Sequence, residues 1–116
     1  MTGWRGGALV GLWAAMLAAA GGVGAGVFGG EAKPVTHTVT IDATSYQPAR
    51  LVVHRGDTVV WVNKDVIPHT ATAKSKAFDS KVLAAGASWR LTVMAKGATD
   101  YGCLFHPTMT GRIEAD

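Results

Sequence analysis

Cysteine occurs once in the 116 residues, at Cys103. A single thiol cannot form an intramolecular disulfide, so no covalent staple holds this chain and the residue needs another reason to be there, such as a metal. Charge is sparse as well, at 16% of residues, and it never gathers into a run of one sign. The formal net charge is +3, and Arg5 near the N-terminus supplies one unit of it. Lacking a basic stripe, the positive balance does not indicate nucleic-acid binding. After Gly30 the sequence also lacks sustained helical periodicity, internal repeats and low-complexity stretches. What remains is enough chain for one domain, 48% hydrophobic and able to bury a core.

The first thirty residues differ from the rest. Arg5 is their only charge, and Ala8 to Gly30 holds nothing but apolar residues and glycine. A positive start followed by an apolar run reads as an export signal. The run exceeds the usual signal core of about 7–15 residues and reaches the roughly 20 needed to span a bilayer. Its many glycines, Gly21, Gly22, Gly24, Gly26, Gly29 and Gly30, argue against a stable span. Ala18-Ala19-Ala20 and Gly30-Glu31-Ala32 offer small-residue cleavage sites. Residues 1–32 are therefore read as a signal peptide or an N-terminal membrane anchor plus linker. Residues 33–116 are read as an exported domain, periplasmic or otherwise outside the cytoplasm, tethered if the segment is retained.

Within that domain, apolar residues alternate. Val35 to Ile41 predicts a half-buried strand with Val35, Val39 and Ile41 inward, and Arg50 to His54 predicts a second. Arg55-Gly56-Asp57 is a turn, and His54 beside it reads as a surface residue; His37 reads as a partly exposed strand residue. Tyr46 and Pro48 are expected to pack on the domain end. Thr58 to Asn63 is apolar on both faces, which places it centrally; Val59, Trp61 and Asn63 share one face. Thr70 to Ala73, Ser88 to Val93, Thr99 to Cys103 and Gly111 to Ala115 supply shorter or weaker strands, and Phe78 to Leu83 is irregular or a weak strand, with turns at Ala84–Ala87 and Lys96–Ala98. About seven short strands separated by turn signals predict an all-β, antiparallel sandwich.

The chemistry collects in Cys103-Leu104-Phe105-His106-Pro107-Thr108-Met109. A thiolate, an imidazole and a thioether recur at three-residue spacing, and Pro107 keeps the segment out of a helix interior. Soft sulfur suits Cu(I), and imidazole serves Cu(II) as well. A trigonal site of one Cys and two His with a weak axial Met, the blue-copper arrangement, needs one more histidine. His69, in Val66-Ile67-Pro68-His69-Thr70, supplies it. The predicted ligand set is His69, Cys103, His106 and Met109, holding one copper ion per chain that cycles between Cu(II) and Cu(I).

These residues resemble the cupredoxins, the small type 1 blue copper proteins. The likeness rests on Gly56 to Asn63, on Pro68-His69-Thr70 and on Cys103-x-x-His106-x-x-Met109, and it covers about Lys33 to Asp116. The two-residue gaps between ligands look like the amicyanins within that family, next to the plastocyanin-like members. The resemblance implies a Greek-key sandwich with copper at one end and single-electron transport between larger redox partners. It also implies a buried His69 and a His106 whose ring edge reaches the surface, with the partner docking over it as the chain stays monomeric. Two positions depart from the amicyanin pattern. Thr70 stands where Asn usually braces the copper loop, so weaker bracing is expected, though its backbone N–H can still reach the thiolate. Phe105 replaces a proline before the second histidine and keeps an N–H that could reach the Cys103 sulfur.

Other functions fit less well. Copper enzymes that link two centres place a histidine directly before the thiolate, where this chain has Gly102, so it is read as no enzyme. A binuclear purple copper site needs two cysteines. Structural zinc sites seldom use methionine. A periplasmic copper storage or delivery protein remains the alternative, since its soft ligands would be similar.

Overall fold

The computed structural model describes residues 33–116. The segment read as signal or anchor, residues 1–32, lies outside the described residues. Eight strands follow in order: β1 (Thr36–Asp42), β2 (Ser45–Gln47), β3 (Arg50–Val53), β4 (Thr58–Asn63), β5 (Thr72–Ala73), β6 (Ser88–Thr92), β7 (Gly97–Cys103) and β8 (His106–Ala115). They form two four-stranded sheets, ordered β2-β1-β4-β6 and β3-β8-β7-β5, with no helix among the described residues.

The expected β-sandwich is present, and each sheet is mixed. β1 pairs in parallel with β4, and β3 with β8, while the other ladders are antiparallel. The parallel pairs arise because the chain changes sheet between β2 and β3 and again between β3 and β4. It therefore returns beside β1 running the same way. Alternation alone predicts a strand's buried face, not the direction of its neighbour.

The alternation reads out as burial. Val39 and Ile41 of β1, and Val59, Trp61 and Asn63 of β4, are fully buried between the sheets. Burial of each such aliphatic side chain contributes on the order of 1.5–3 kcal/mol. β4 lies between β1 and β6, as its two apolar faces predict. Val35 departs from its expected inward place and stands 49% exposed, because the strand begins one residue later. Its backbone N–H donates instead to Asp57 Oδ1 at 2.9 Å. Trp89 and Leu91 of β6 are only half-buried, since β6 is a sheet edge. Tyr46 is buried as expected, within the extra strand β2, while Pro48 is exposed.

Aromatic rings fill the centre. Trp61 contacts Phe78, Trp89 and Tyr101, each with ring centroids 5.5 Å away, and Tyr101 meets Tyr46 edge-on at 4.6 Å. Tyr101 needs Gly111 opposite it on β8, because a Cβ there would collide with the phenol ring. At the other end, Asp57 joins the start of β1 to the β3–β4 turn. Its carboxylate also accepts from His54 N–H at 3.0 Å and faces His37 Nε2 at 2.9 Å. Gly56 takes φ +98° in that turn, a conformation that favours glycine.

Candidate metal centre

Two connections carry the predicted ligands to one end of the sandwich. The first is the loop from β4 to β5, organised by Asn63 at the end of β4. Its buried amide donates to the carbonyls of Ile67 and Leu83, both at 2.9 Å, and its Oδ1 accepts from Asp65 N–H at 2.9 Å. His69 then forms an antiparallel bridge with Leu83, its N–H donating at 3.1 Å and its carbonyl accepting at 2.7 Å. The second connection is the tight turn between β7 and β8. Gly102 pairs with Thr110, but Cys103 pairs with His106, so Pro107, Thr108 and Met109 are accommodated in a bulge. That irregularity brings Cys103, His106 and Met109 within one short arc.

The donor atoms converge. His69 Nδ1 lies 3.8 Å from Cys103 Sγ, and His106 Nδ1 lies 3.5 Å from it. Ligand atoms of all three residues lie within 4.8 Å of one another. Donors about 2.0–2.3 Å from a shared ion and about 120° apart stand roughly 3.5–3.8 Å from each other, so the spacing fits a trigonal metal site. Met109 is buried beside Cys103 in the core and lines the same surface hollow. Its carbonyl lies 2.9 Å from where a Cβ on Gly102 would stand, so the position before the cysteine has no room for a larger residue. His69 is fully buried, whereas His106 is half-buried. His37 and His54 stay apart from the centre, paired with Asp57 and Asp116.

The surroundings set the protonation and hold the geometry. Asp65 Oδ2 lies 2.7 Å from His69 Nε2. A carboxylate only accepts, so Nε2 carries the proton and Nδ1 presents its lone pair towards Cys103. Asp65 also accepts from the N–H groups of Ala43 at 2.8 Å and Thr44 at 2.9 Å. The Thr44 N–H foremost, with His69 and Ala43, holds its carboxyl below the ordinary aspartate range. Thr70 braces the loop on three sides. Its N–H donates to Cys103 Sγ at 3.4 Å, its hydroxyl accepts from Leu104 N–H at 3.0 Å, and its carbonyl accepts from Tyr46 O–H at 2.5 Å. Burial foremost pushes the Tyr46 phenol far above its ordinary pKa, so it remains a donor. The bracing expected to weaken at Thr70 is present through its own N–H, hydroxyl and carbonyl. The backbone donor to the sulfur is Thr70, and Phe105 makes no such bond among the described residues.

The structure brings together the two histidines and the cysteine that sequence reasoning named and buries the methionine in the same core as the cysteine, whereas Asp65 and the hydroxyl of Thr70 were not anticipated. For Asp65 a signal exists, a carboxylate four residues before the predicted ligand His69. For the Thr70 hydroxyl there is none, since Leu104 lies 34 residues away.

A β-sandwich with a Cys–His–His cluster at one end defines a class of protein, and the comparisons agree. The cupredoxin-like domain family matches residues 7–114, and this chain belongs to that family. Within it the chain is amicyanin-like. It is 30% identical to amicyanin of Paracoccus versutus over 80 residues, 65% of this chain and 61% of that protein. The chain thus spans about three-fifths of that curated relative's length. An oxidised methionine-to-leucine variant of amicyanin superposes with a TM-score of 0.65 at 27% identity, covering 69% of this chain and 81% of that one. A Cu-containing nitrite reductase from Thermus scotoductus gives a TM-score of 0.67 at 28% identity over 73% of this chain, but over only 23% of the reductase. The cofactor that this family and donor set call for is copper.

Proposed function

We propose that this chain is a type 1 copper protein that carries single electrons between redox partners outside the cytoplasm. His69 Nδ1, Cys103 Sγ and His106 Nδ1 would hold the metal, with the Met109 thioether as a further, weaker ligand. When bound, copper supplies a one-electron Cu(II)/Cu(I) couple. The observation that carries the reading is the convergence of two imidazole Nδ1 atoms on one thiol at 3.8 and 3.5 Å, already assembled by the protein. A donor set held in place by backbone and carboxylate hydrogen bonds resists rearrangement between oxidation states, which is what a carrier requires. Its neighbours reinforce this: Asp65 fixes the His69 ring, and Thr70 fixes both the sulfur and the loop behind it.

Partner docking over His106 follows from exposure. His69 is sealed, so the half-buried His106 is the way in. The two ligand loops expose Val66, Ile67, Leu104 and Phe105, the last at 49%, and Pro68 and Pro107 are exposed beside the histidines. An apolar rim lets a partner approach without desolvating charges. Likeness to the nitrite reductase covers a small part of that enzyme, and the residue before the thiolate is Gly102 with no space for a histidine. We therefore read the chain as a carrier and not an enzyme, exported by residues 1–32.

The visible spectrum of the full chain loaded with one equivalent of Cu(II) tests this. An intense thiolate-to-copper band is expected, and Cys103→Ser should abolish it while a folded far-ultraviolet spectrum persists. Colour that survives the substitution, or rapid surrender of the copper to a chelator, would sink the carrier reading.

A further inference from the structure

Two hydroxyls connect the copper loop to a distant carboxylate. Leu104 N–H meets Thr70 Oγ1 at 3.0 Å, Thr70 Oγ1 meets Thr72 Oγ1 at 2.9 Å, and Thr72 Oγ1 meets Asp79 Oδ1 at 3.1 Å. Thr70 is buried, and Thr72 and Asp79 are half-buried. The segment bearing Asp79 is itself tied down. Ala71 N–H donates to Ser80 Oγ at 2.7 Å, Ser80 N–H donates to the Ala71 carbonyl at 3.0 Å, and Ala73 N–H donates to the Phe78 carbonyl at 2.9 Å.

The chain of bonds can run in only one direction. An ionised carboxylate accepts and never donates, so Thr72 spends its one hydroxyl proton on Asp79. Thr70 must then donate to Thr72. With its proton spent, the Thr70 oxygen faces the Leu104 N–H as an acceptor, the only role a backbone N–H allows it. Every donor has one acceptor, and the negative end lies at Asp79. Asp79 Oδ1 also accepts from Lys81 N–H at 2.8 Å, which keeps the carboxylate ionised and pointed. Bonds aligned this way polarise one another, so the last one strengthens the first.

We infer that Thr72 and Asp79 are positioning residues for the metal centre, anchoring the Cys103–Leu104 peptide through an oriented hydroxyl relay. Its consequence for copper rests on the type 1 reading, but the relay itself does not. Neither side chain hydrogen-bonds to a predicted ligand among the described residues. Each acts on Cys103 through Thr70, which also donates its own N–H to the Cys103 sulfur.

The test is hydrogen exchange at the Leu104 amide in the full chain, read by NMR on the metal-free and Cu(I) forms, together with copper release to a chelator. Thr72→Val removes the hydroxyl while keeping the β-branched shape. It should speed Leu104 exchange about tenfold, the equivalent of one lost hydrogen bond, and speed copper release in the same direction. Thr72→Ser should restore both rates. Asp79→Ala should speed Leu104 exchange less, and adding it to Thr72→Val should change nothing further, because the route is already cut. Amides of Val59 to Val62 report whether the sandwich is intact. Unchanged Leu104 exchange in Thr72→Val, or additive effects of the two substitutions, would overturn the inference. Should Thr72→Val not fold, Asp79→Ala alone decides the matter, since no effect at Leu104 would overturn it. A protein that binds copper without colour would sink the type 1 reading and leave the exchange result standing.

Discussion

At the level of single side chains, the carboxylate of Asp65 meets three donors: the N–H groups of Ala43 and Thr44, and Nε2 of His69. Ala43 and Thr44 both have positive φ, 52° and 56°, which is uncommon for residues other than glycine. The carboxylate therefore holds an unfavourable turn and a ligand ring at once. Asp65→Ala should leave the His69 ring free to rotate and change tautomer. Loss of such an outer partner typically weakens metal affinity by about 10–100-fold. Copper competition against a chelator of known affinity measures it, and the spectrum of the variant should show the disturbed ring as a shifted band. An unchanged affinity would mean that packing alone orients His69.

At the level of elements, the clamp at Asp57 joins β1 to the β3–β4 turn, where the parallel β1–β4 ladder begins with Thr36 opposite Thr58. Contact with His37 foremost, and with the N–H groups of Val35 and His54, holds the Asp57 carboxyl well below the usual carboxylate range. A carboxylate with a depressed folded pKa contributes stability that is fully present above its unfolded value, about pH 4. That stability is lost as the pH falls further, through the folded value. Asp57→Asn should therefore be less stable than the natural chain near neutrality, and the difference should shrink as the pH falls below about 4. Urea unfolding at a series of pH values reads this directly, and a gap that stays constant with pH would show that shape, not charge, matters at this site. Much of the element pattern was legible beforehand, because alternation marks a half-buried strand wherever it occurs. The β4 face of Val59, Trp61 and Asn63 is the clearest case. β2 was missed because three residues between a turn and a proline carry no periodicity. The length of β8 was missed because its first half, His106 to Thr110, reads as loop.

At the level of the whole domain, among the described residues, the end bearing the Cys–His–His cluster exposes Val66, Ile67, Leu104 and Phe105, with Lys64 and the half-buried Asp65 the charges in its loops, while the strands carry interspersed charge. The Arg50–Glu114 and Arg112–Asp100 pairs lie on β3, β7 and β8, outside the ligand loops. If partners meet the apolar end, encounter should be only modestly dependent on salt. Electron self-exchange between two copies, measured by NMR line broadening in mixtures of oxidised and reduced protein, reports on the same surface. Thr108→Glu places like charges face to face in that encounter. It should slow self-exchange several-fold at low salt, recover as salt rises, and leave the visible band unchanged. A rate indifferent to this charge would put the contact surface elsewhere.

The candidate ligands could be named from the chain itself, because a lone thiol, an imidazole and a thioether spaced three apart have few other uses, and folding brings His69, Cys103 and His106 together. Burial was settled for Val39 and Ile41 of β1 and for the Val59, Trp61 and Asn63 face of β4, since side chains on a strand alternate with period two whatever the partner, but not at Val35, which precedes β1. Three things were decided only in three dimensions. Direction was one: β1 and β4 run parallel because of sheet crossings that no local pattern encodes. Protonation was another: the His69 tautomer depends on a carboxylate whose orientation Ala43 and Thr44 hold from another strand connection. Bracing was the last: the Thr70 hydroxyl supports the copper loop only because folding places Leu104 on one side of it and Thr72 on the other. Hydrogen bonds are short-ranged and directional, so their partners exist only once tertiary packing has put them within reach.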